Sequence, residues 1–123
     1  MTIIDPKSPV VRKVEVRLTD GSYTFTVLRS SFKKITLKII GNTASFKGCN
    51  TNNLTYIAAS DGTIKFINGA STLIFCRDDY DSYYAYALLS STKYADMKGM
   101  YTFYDVKGQS LATLLYIAPL TSA

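Results

Sequence analysis

The chain has 123 residues, 47% of them apolar, and a net charge of +5 from 14 Lys and Arg against 9 Asp and Glu. This length and composition indicate one globular domain over residues 1–123 and exclude wholesale disorder. Because the chain contains no histidine, imidazole acid–base catalysis, Cys–His or Ser–His nucleophile pairs and histidine metal sites are excluded. No apolar run reaches the about 20 residues of a membrane-spanning helix, so a transmembrane protein is not expected.

The N-terminal stretch has no secretory signal pattern, and residues 1–9 are predicted to be flexible. A cytoplasmic location is therefore predicted, in which both cysteines would stay reduced. The first structural feature is a two-residue turn sequence at positions 20–21 between two alternating segments. It predicts a hairpin in which Leu18 pairs with Tyr23 and Val16 with Phe25.

Two further hairpins are predicted next along the chain. Their turns are Gly41-Asn42 and Asp61-Gly62, each between segments whose apolar residues alternate. The expected cross-strand pairs are Leu37–Phe46 and Ile39–Ala44 in the first, and Ile57–Phe66 and Ala59–Ile64 in the second. Three hairpins with one apolar face each indicate an antiparallel sheet with one solvated side.

The pattern becomes helical after a short strand, STLIFC, because apolar and aromatic residues then recur every three to four positions. A helix is predicted at about 78–91, with Asp78 as its N-cap. Asp79 and Asp81 have the spacing of a hard-cation site, but carboxylates in the first helical turn are stabilised by the helix dipole without any ion. We favour the second interpretation.

The predicted helix has two distinct apolar faces. One should pack into the core and consists of Tyr80, Tyr84, Ala87 and Leu88. The other contains Tyr86 and Leu89, with Lys93 on the same side. Since tyrosine is enriched at interfaces, these last three residues are a candidate interaction patch.

A final hairpin follows the helix, with strands in GMYTFYD and SLATLLYIA and a turn through Lys107-Gly108. The fold class is therefore mainly β (α+β). The antiparallel hairpins should form a curled sheet or partial barrel, with one helix inserted before the last hairpin and lying across one opening.

Four segments follow one another along the chain: FKGCN, TLIFC, the predicted helix and MYTFYDVKGQSL. Together they resemble the META domain family, whose bacterial members include HslJ-type lipoproteins. The resemblance covers roughly residues 35–117, and the matching residues are Gly48, Cys49, Asn50, Thr72, Cys76, Asp105 and Gly108. It implies a small β-rich fold with no established enzymatic activity. It also implies relatives in envelope and stress proteins, and in eukaryotic parasites where members are linked to virulence and motility.

The two cysteines allow several interpretations. Without a CxxC motif they cannot supply the four ligands of a zinc site, and Lys47 is expected to point away from Cys49, so a reactive thiolate is disfavoured. Buried structural thiols are the preferred interpretation. A disulfide between Cys49 and Cys76 stays open, since both residues end strands that could lie close together.

These residues favour a non-enzymatic META-like domain that acts as a cytoplasmic protein-interaction or assembly module. No catalytic residue, cofactor or metal site is predicted. The alternative is a small protein that binds nucleic acid or anionic lipid through a basic surface. A ligand cavity inside the curled sheet is a third hypothesis.

Overall fold

The structure is a computed structural model that describes residues 14–72 and 80–120. Nine strands and one helix are formed by these residues. The strands are β1 (Glu15–Val16), β2 (Gly21–Val27), β3 (Ile35–Ile40), β4 (Thr43–Lys47), β5 (Thr51–Ala59), β6 (Ile64–Ser71), β7 (Lys93–Met97), β8 (Met100–Tyr104) and β9 (Ser110–Ala118). The helix, α1 (Asp81–Leu89), lies between β6 and β7 in the chain.

All strands join one antiparallel sheet in the order β1-β5-β4-β3-β2-β9-β8-β7, with β6 paired to β5. The sheet curls into a half-barrel. The starts of β6 and β7 meet, since Thr63, just before β6, forms a bridge with Lys93 of β7. The Tyr94 N–H also donates to the Gly62 oxygen over 2.9 Å. The helix packs on β6 and β9. The predicted class, a mainly β curled sheet with a single helix before the last hairpin, is confirmed.

The core lies inside the curl, where alternate residues of each strand point inward because successive side chains face opposite sides of a strand. The largest fully buried side chains are Tyr23, Tyr56, Phe25, Phe46, Phe103, Leu37, Ile39, Leu54, Leu88 and Leu114. Complete burial of such a side chain stabilises a fold by about 1.5–3 kcal/mol. This inner face therefore supplies most of the favourable free energy of folding.

The hairpin of β3 and β4 has the predicted register. Leu37 pairs with Phe46 and Ile39 with Ala44, and all four side chains are buried. Gly41 provides the turn with a φ of +58°, a backbone conformation that glycine adopts without steric cost.

The hairpin of β5 and β6 forms about the predicted turn, but its predicted register is wrong by one residue. The observed partner of Phe66 is Tyr56, and Ile57 faces solvent. The loop has three residues, 60–62, with Gly62 at a φ of +89°, and the Ala59 N–H donates to the Thr63 oxygen. A three-residue loop with a left-handed last residue shifts the pairing by one position relative to a two-residue turn.

The first predicted hairpin does not form. β1 pairs with β5, with Glu15 opposite Ala59, while β2 lies between β3 and β9. The Leu18 N–H donates to the Tyr56 hydroxyl oxygen over 2.9 Å, so the segment before β2 is held by β5. Long-range partners therefore override the local turn signal at positions 20–21.

The second half of the chain follows the prediction more closely. β8 and β9 form the predicted last hairpin, with Tyr101 opposite Leu114. The helix is shorter than predicted. Sequence reasoning missed one strand, β7, which pairs with β8 through a turn at Lys98 and Gly99. Of the predicted strand STLIFC, only Ser71 belongs to β6, and its last four residues lie outside the described residues.

Several predicted features lie outside the described residues. These are the segment 1–9, Cys76, and the acidic residues Asp78 and Asp79. Among the residues that are described, no helix has the length and apolar character required to cross a membrane.

Candidate functional site

Asp81, the first residue of α1, binds the turn between β4 and β5. Its Oδ1 accepts the Cys49 N–H over 2.9 Å, and its Oδ2 accepts the Asn50 N–H over 2.7 Å and the Asn52 amide over 2.9 Å. The carboxyl group is almost completely buried. Hydrogen bonds to an ionised carboxylate are stronger than neutral ones, so Asp81 anchors the start of the helix to the sheet. Its position in the first turn was predicted; its partners in the β4–β5 turn were not.

Gly48 is required in this turn because the Asp81 carboxylate occupies the space that a Cβ would fill. The neighbouring Asn50 is also buried, and its Oδ1 accepts the Thr72 hydroxyl over 3.3 Å. The Thr72 oxygen in turn accepts the Thr51 N–H over 3.0 Å. The motif residues 48–50 and Thr72 thus form one hydrogen-bonded cluster.

Cys49 is disulfide-bonded. The expectation of a reduced structural thiol is therefore wrong for this residue. The sequence contains one other cysteine, Cys76, which lies outside the described residues. A cystine sulfur carries no thiolate, so nucleophilic chemistry at Cys49 is not available in this state.

Reduction of this disulfide is expected to lower the free energy of unfolding by about 3 kcal/mol, because the unfolded chain regains the freedom that the cross-link removes. Denaturant unfolding with and without a phosphine reductant measures the change. A Cys49→Ser variant is the control, since its stability should not respond to the reductant. Labelling of Cys49 by a maleimide in the folded, unreduced protein would contradict the assignment.

Asp105 and Gly108, the remaining motif residues, form a separate turn between β8 and β9. The Asp105 Oδ1 accepts the N–H groups of Lys107 and Gln109, each over 2.9 Å. Gly108 has a φ of +83°, and its N–H donates to the Asp105 oxygen over 3.0 Å. This pattern specifies a tight turn and leaves the carboxylate engaged with its own loop.

A cleft of about 550 Å³ opens beside the Asp81 cluster. The residues that line it come from the β2–β3 loop, the β4–β5 turn and the start of α1: Ser31, Phe32, Lys33, Ile35, Gly48, Cys49, Tyr80, Asp81 and Tyr84. Its volume is in the range of small-ligand sites. Three of the nine described lining residues are aromatic, and Lys33 is the only cation among them.

Phe32 is the centre of an aromatic cluster. Its ring stacks on Tyr83 with centroids 5.1 Å apart and contacts Tyr80 at 5.5 Å and Tyr84 at 5.8 Å. Sequence reasoning did not single out Phe32. Its signal was a lone aromatic residue in the polar, basic loop SSFKK.

The predicted faces of α1 are partly correct. Tyr84, Ala87 and Leu88 are buried as expected, but the assignment of Tyr80 to the core is wrong, because 49% of its surface is exposed. The helix begins at Asp81, so its N-cap residue is Tyr80 and the predicted N-cap at Asp78 is wrong. Tyr80 also lines the cleft.

The predicted patch residues are all exposed. Tyr86 is the most exposed aromatic residue of the described part of the chain at 70%, and Leu89 is 38% exposed. Lys93 is also exposed, but it lies in β7 and not on the helix. The exposed side of α1 thus extends from Tyr80 through Tyr83 and Tyr86 to Leu89, each three residues from the next.

Tyr84 joins the cleft to the core. Its hydroxyl donates to the Lys33 backbone oxygen over 2.7 Å. Burial raises the pKa of Tyr84 above its ordinary value, and the negative charge of Asp81 raises this pKa further. The phenol is therefore a hydrogen-bond donor and not a general base near neutral pH.

Within residues 14–72 and 80–120, no group of three or more Cys, His, Asp or Glu side chains is placed to hold a metal ion. The hydrogen bonds of Asp81 to three donors give it a structural role. The side chains that line the cleft can contact a ligand through aromatic rings and hydrogen bonds, which are binding interactions.

Comparisons of the chain with protein-family models, with curated proteins and with solved structures found no match. The resemblance to the META family therefore stays a prediction that depends on the sequence motifs.

Proposed function

We propose that this protein is a non-enzymatic, META-like binding domain that acts as a protein-interaction or assembly module through the exposed side of α1. The single observation that carries the proposal is the group of exposed aromatic and apolar residues on α1 and at its N-cap, together with the half-buried Phe32 that packs against two of them. We name this group the aromatic surface, and it consists of Phe32, Tyr80, Tyr83, Tyr86 and Leu89.

The aromatic surface has the properties of an interface centre. Tyrosine presents a large, rigid contact area together with a hydroxyl group, and such residues dominate the binding energy of many interfaces. Phe32 is half-buried beneath Tyr80 and Tyr83, so these rings are held in place before any partner binds. A preorganised surface loses less conformational entropy on association.

The META-like part of the proposal is supported by the roles of the motif residues. Gly48 and Asn50 form the turn that Asp81 binds, and Asp105 with Gly108 forms the last hairpin turn. These are architectural roles, as expected of residues shared within a fold family that has no common reaction. A link to parasite virulence or motility depends on the resemblance alone.

The cellular location is a separate proposal. Cys49 is disulfide-bonded, and disulfides persist mainly in oxidising compartments, whereas the cytosol keeps thiols reduced. This weighs against the predicted cytoplasmic location. We therefore favour an oxidising compartment for the folded domain.

Affinity capture with the full chain as bait tests the proposed function. Three baits are compared by quantitative mass spectrometry: the unmodified chain, a Tyr86→Ala, Leu89→Ala variant, and a Leu115→Ala, Ile117→Ala control. The control removes two exposed apolar residues of β9, each more than half exposed. We expect a stoichiometric partner whose recovery falls at least tenfold with the helix variant only. Equal recovery with all three baits contradicts the proposal.

The second candidate function is the binding of a polyanion through a basic surface. The specific observation in its favour is a groove of about 450 Å³ on the outside of β3 and β4 that contains Lys38 and Lys47 together with three hydroxyl side chains.

A further inference from the structure

The outer face of β3, β4, β5 and β6 has an unusual composition. None of these four strands contains Asp or Glu. Their outward positions carry three lysines and three exposed isoleucines among threonine, serine and asparagine. We name these six residues the basic face: Lys38, Ile40, Lys47, Ile57, Lys65 and Ile67.

Strand pairing makes the basic face continuous. Ile40 lies opposite Thr43, which lies opposite Thr55, and Thr55 lies opposite Ile67, so a single row across the sheet ends in an isoleucine on each side. Lys38 belongs to the neighbouring row, and Lys65 pairs with Ile57. Outward residues two positions apart on a strand are about 7 Å apart, so Lys38 lies within side-chain reach of Ile40, and Lys65 within reach of Ile67.

The isoleucines are exposed far more than their chemistry favours. Ile40 is 55% exposed, Ile57 52% and Ile67 43%. The core does not require an apolar residue at these three positions, because the inward residues of the same strands already fill it. Three exposed isoleucines on one face, interspersed with cations, provide apolar area that can contact another molecule.

We infer that the basic face is a docking surface for an anionic lipid bilayer. Lysine ammonium groups are attracted to the negative surface of anionic membranes, and aliphatic side chains of a bound protein enter the headgroup boundary. The groove between Lys38 and Lys47 adds the hydroxyl groups of Thr36, Ser45 and Thr51, which can donate to phosphate oxygens. This deepens the second candidate function, and does not depend on the aromatic surface.

The composition of the face favours a membrane over nucleic acid. Single-stranded nucleic acid binds through aromatic rings on which bases stack, together with cations. Within β3–β6 no outward position is aromatic, since Phe46, Tyr56 and Phe66 all point into the core. The large exposed apolar residues of the face, Ile40, Ile57 and Ile67, are aliphatic, and aliphatic side chains suit contact with lipid and not the stacking of bases.

Among the residues that the structure describes, Asp20, Asp61 and Glu15 lie at the ends of these strands. The Asp20 Oδ1 accepts the Gly41 N–H over 2.8 Å, and the Asp61 Oδ1 accepts the N–H and hydroxyl of Thr63. Both are thus held in turns at strand ends. Glu15 lies in β1 opposite Ala59, so it borders the face at the end of β5.

Flotation with vesicles tests this inference on the full chain. Vesicles of phosphatidylcholine with 30% phosphatidylserine are compared with pure phosphatidylcholine at low and at physiological salt. We expect binding only with phosphatidylserine, weakened by salt. Each lysine should contribute about fivefold in affinity, so a Lys38→Gln, Lys47→Gln, Lys65→Gln variant should lose at least tenfold.

Two further variants make the result specific. The control variant Lys98→Gln, Lys107→Gln removes two exposed lysines from the β7–β8 and β8–β9 turns. It should change vesicle binding no more than twofold. Ile40→Ser, Ile67→Ser should weaken vesicle binding at least fivefold while leaving binding to soluble polyphosphate unchanged. Circular dichroism and thermal unfolding verify that each variant is folded.

The inference is overturned by any of three results: no phosphatidylserine-dependent binding, an equal loss with the control lysines, or tighter binding of an oligo(dT) probe that depends on the same three lysines. The last result assigns the face to nucleic acid. A Tyr86→Ala, Leu89→Ala variant should bind vesicles normally, so that failure of the lipid proposal and failure of the protein-interaction proposal are distinguishable.

Discussion

Replacing Asp81 by alanine is expected to lower the free energy of unfolding by about 3 kcal/mol. The substitution removes the acceptor of the Cys49 and Asn50 N–H groups and one of the two acceptors of the Asn52 amide, which also donates to the Asn50 backbone oxygen over 3.0 Å. Hydrogen bonds to charged groups contribute about 1.5–3 kcal/mol each, and partial access of water to the turn recovers part of the loss. Denaturant unfolding followed by circular dichroism measures the change.

The control for Asp81 is Asp96→Ala, which removes an exposed carboxylate from β7. Surface substitutions of this kind usually change stability by no more than about 0.5 kcal/mol. If the two alanine variants lose equal stability, Asp81 is not the anchor that its hydrogen bonds indicate.

A double-mutant cycle with Gly48 gives a more specific test of the same contact. Gly48→Ala places a methyl group where the Asp81 carboxylate lies, so the single variant should be strongly destabilised. In the presence of Asp81→Ala that overlap no longer exists. The sum of the stability losses of the two single variants should therefore exceed the stability loss of the double variant by at least about 1 kcal/mol. Simple additivity would show that the two residues do not interact.

The sequence predicted the fold wherever the determining contacts are local. The hairpin of β3 and β4 needed only Gly41 and the alternation of its flanking residues, and its register was correct. The same reasoning failed at positions 20–21, because β1 pairs with β5, more than 40 residues away in the chain. A turn dipeptide contains no information about such a partner.

The site was harder to predict than the fold for the same reason. Gly48, Cys49 and Asn50 were recognised as a motif, yet their partner Asp81 is 31 or more residues further on. The exposed positions of Tyr86 and Leu89 followed from helical spacing, whereas Tyr80 was misplaced because the helix start was set too early. Phe32 depends on the packing of a loop against the helix, which periodicity does not report.

Stability is expected to fall steeply as the pH rises above about 10, because buried tyrosines stay protonated in the folded state. Burial is the main cause that raises the pKa of four tyrosines: Tyr23, Tyr56, Tyr84 and Tyr94. Each also donates its hydroxyl hydrogen to a backbone oxygen, on Thr19, Gly41, Lys33 and Ala59 respectively. Ionisation would remove that donor and place a phenolate against a carbonyl oxygen.

The sign of the effect follows from proton linkage. Below the unfolded pKa of about 10 both states keep the phenolic protons, so the stabilisation is fully present. Above it the unfolded chain releases protons that the folded state retains, and the free energy of unfolding decreases by about 1.4 kcal/mol per pH unit for each such tyrosine. The loss continues until the pH reaches the raised folded pKa values.

Denaturant unfolding at intervals from pH 8 to 11.5 measures this slope, and absorbance at 295 nm reports tyrosinate without interference, since the chain has no tryptophan. A Tyr23→Phe variant should lose stability at pH 8, because the Thr19 oxygen loses its donor, but should have a shallower slope above pH 10. Tyr86→Phe changes an exposed ring and should leave the slope as it is. A stability that stays constant to pH 11.5, or an identical slope in the Tyr23 variant, would mean that the buried phenols do not couple folding to pH. The shallower slope would instead identify Tyr23 as one of the groups through which alkali unfolds the half-barrel.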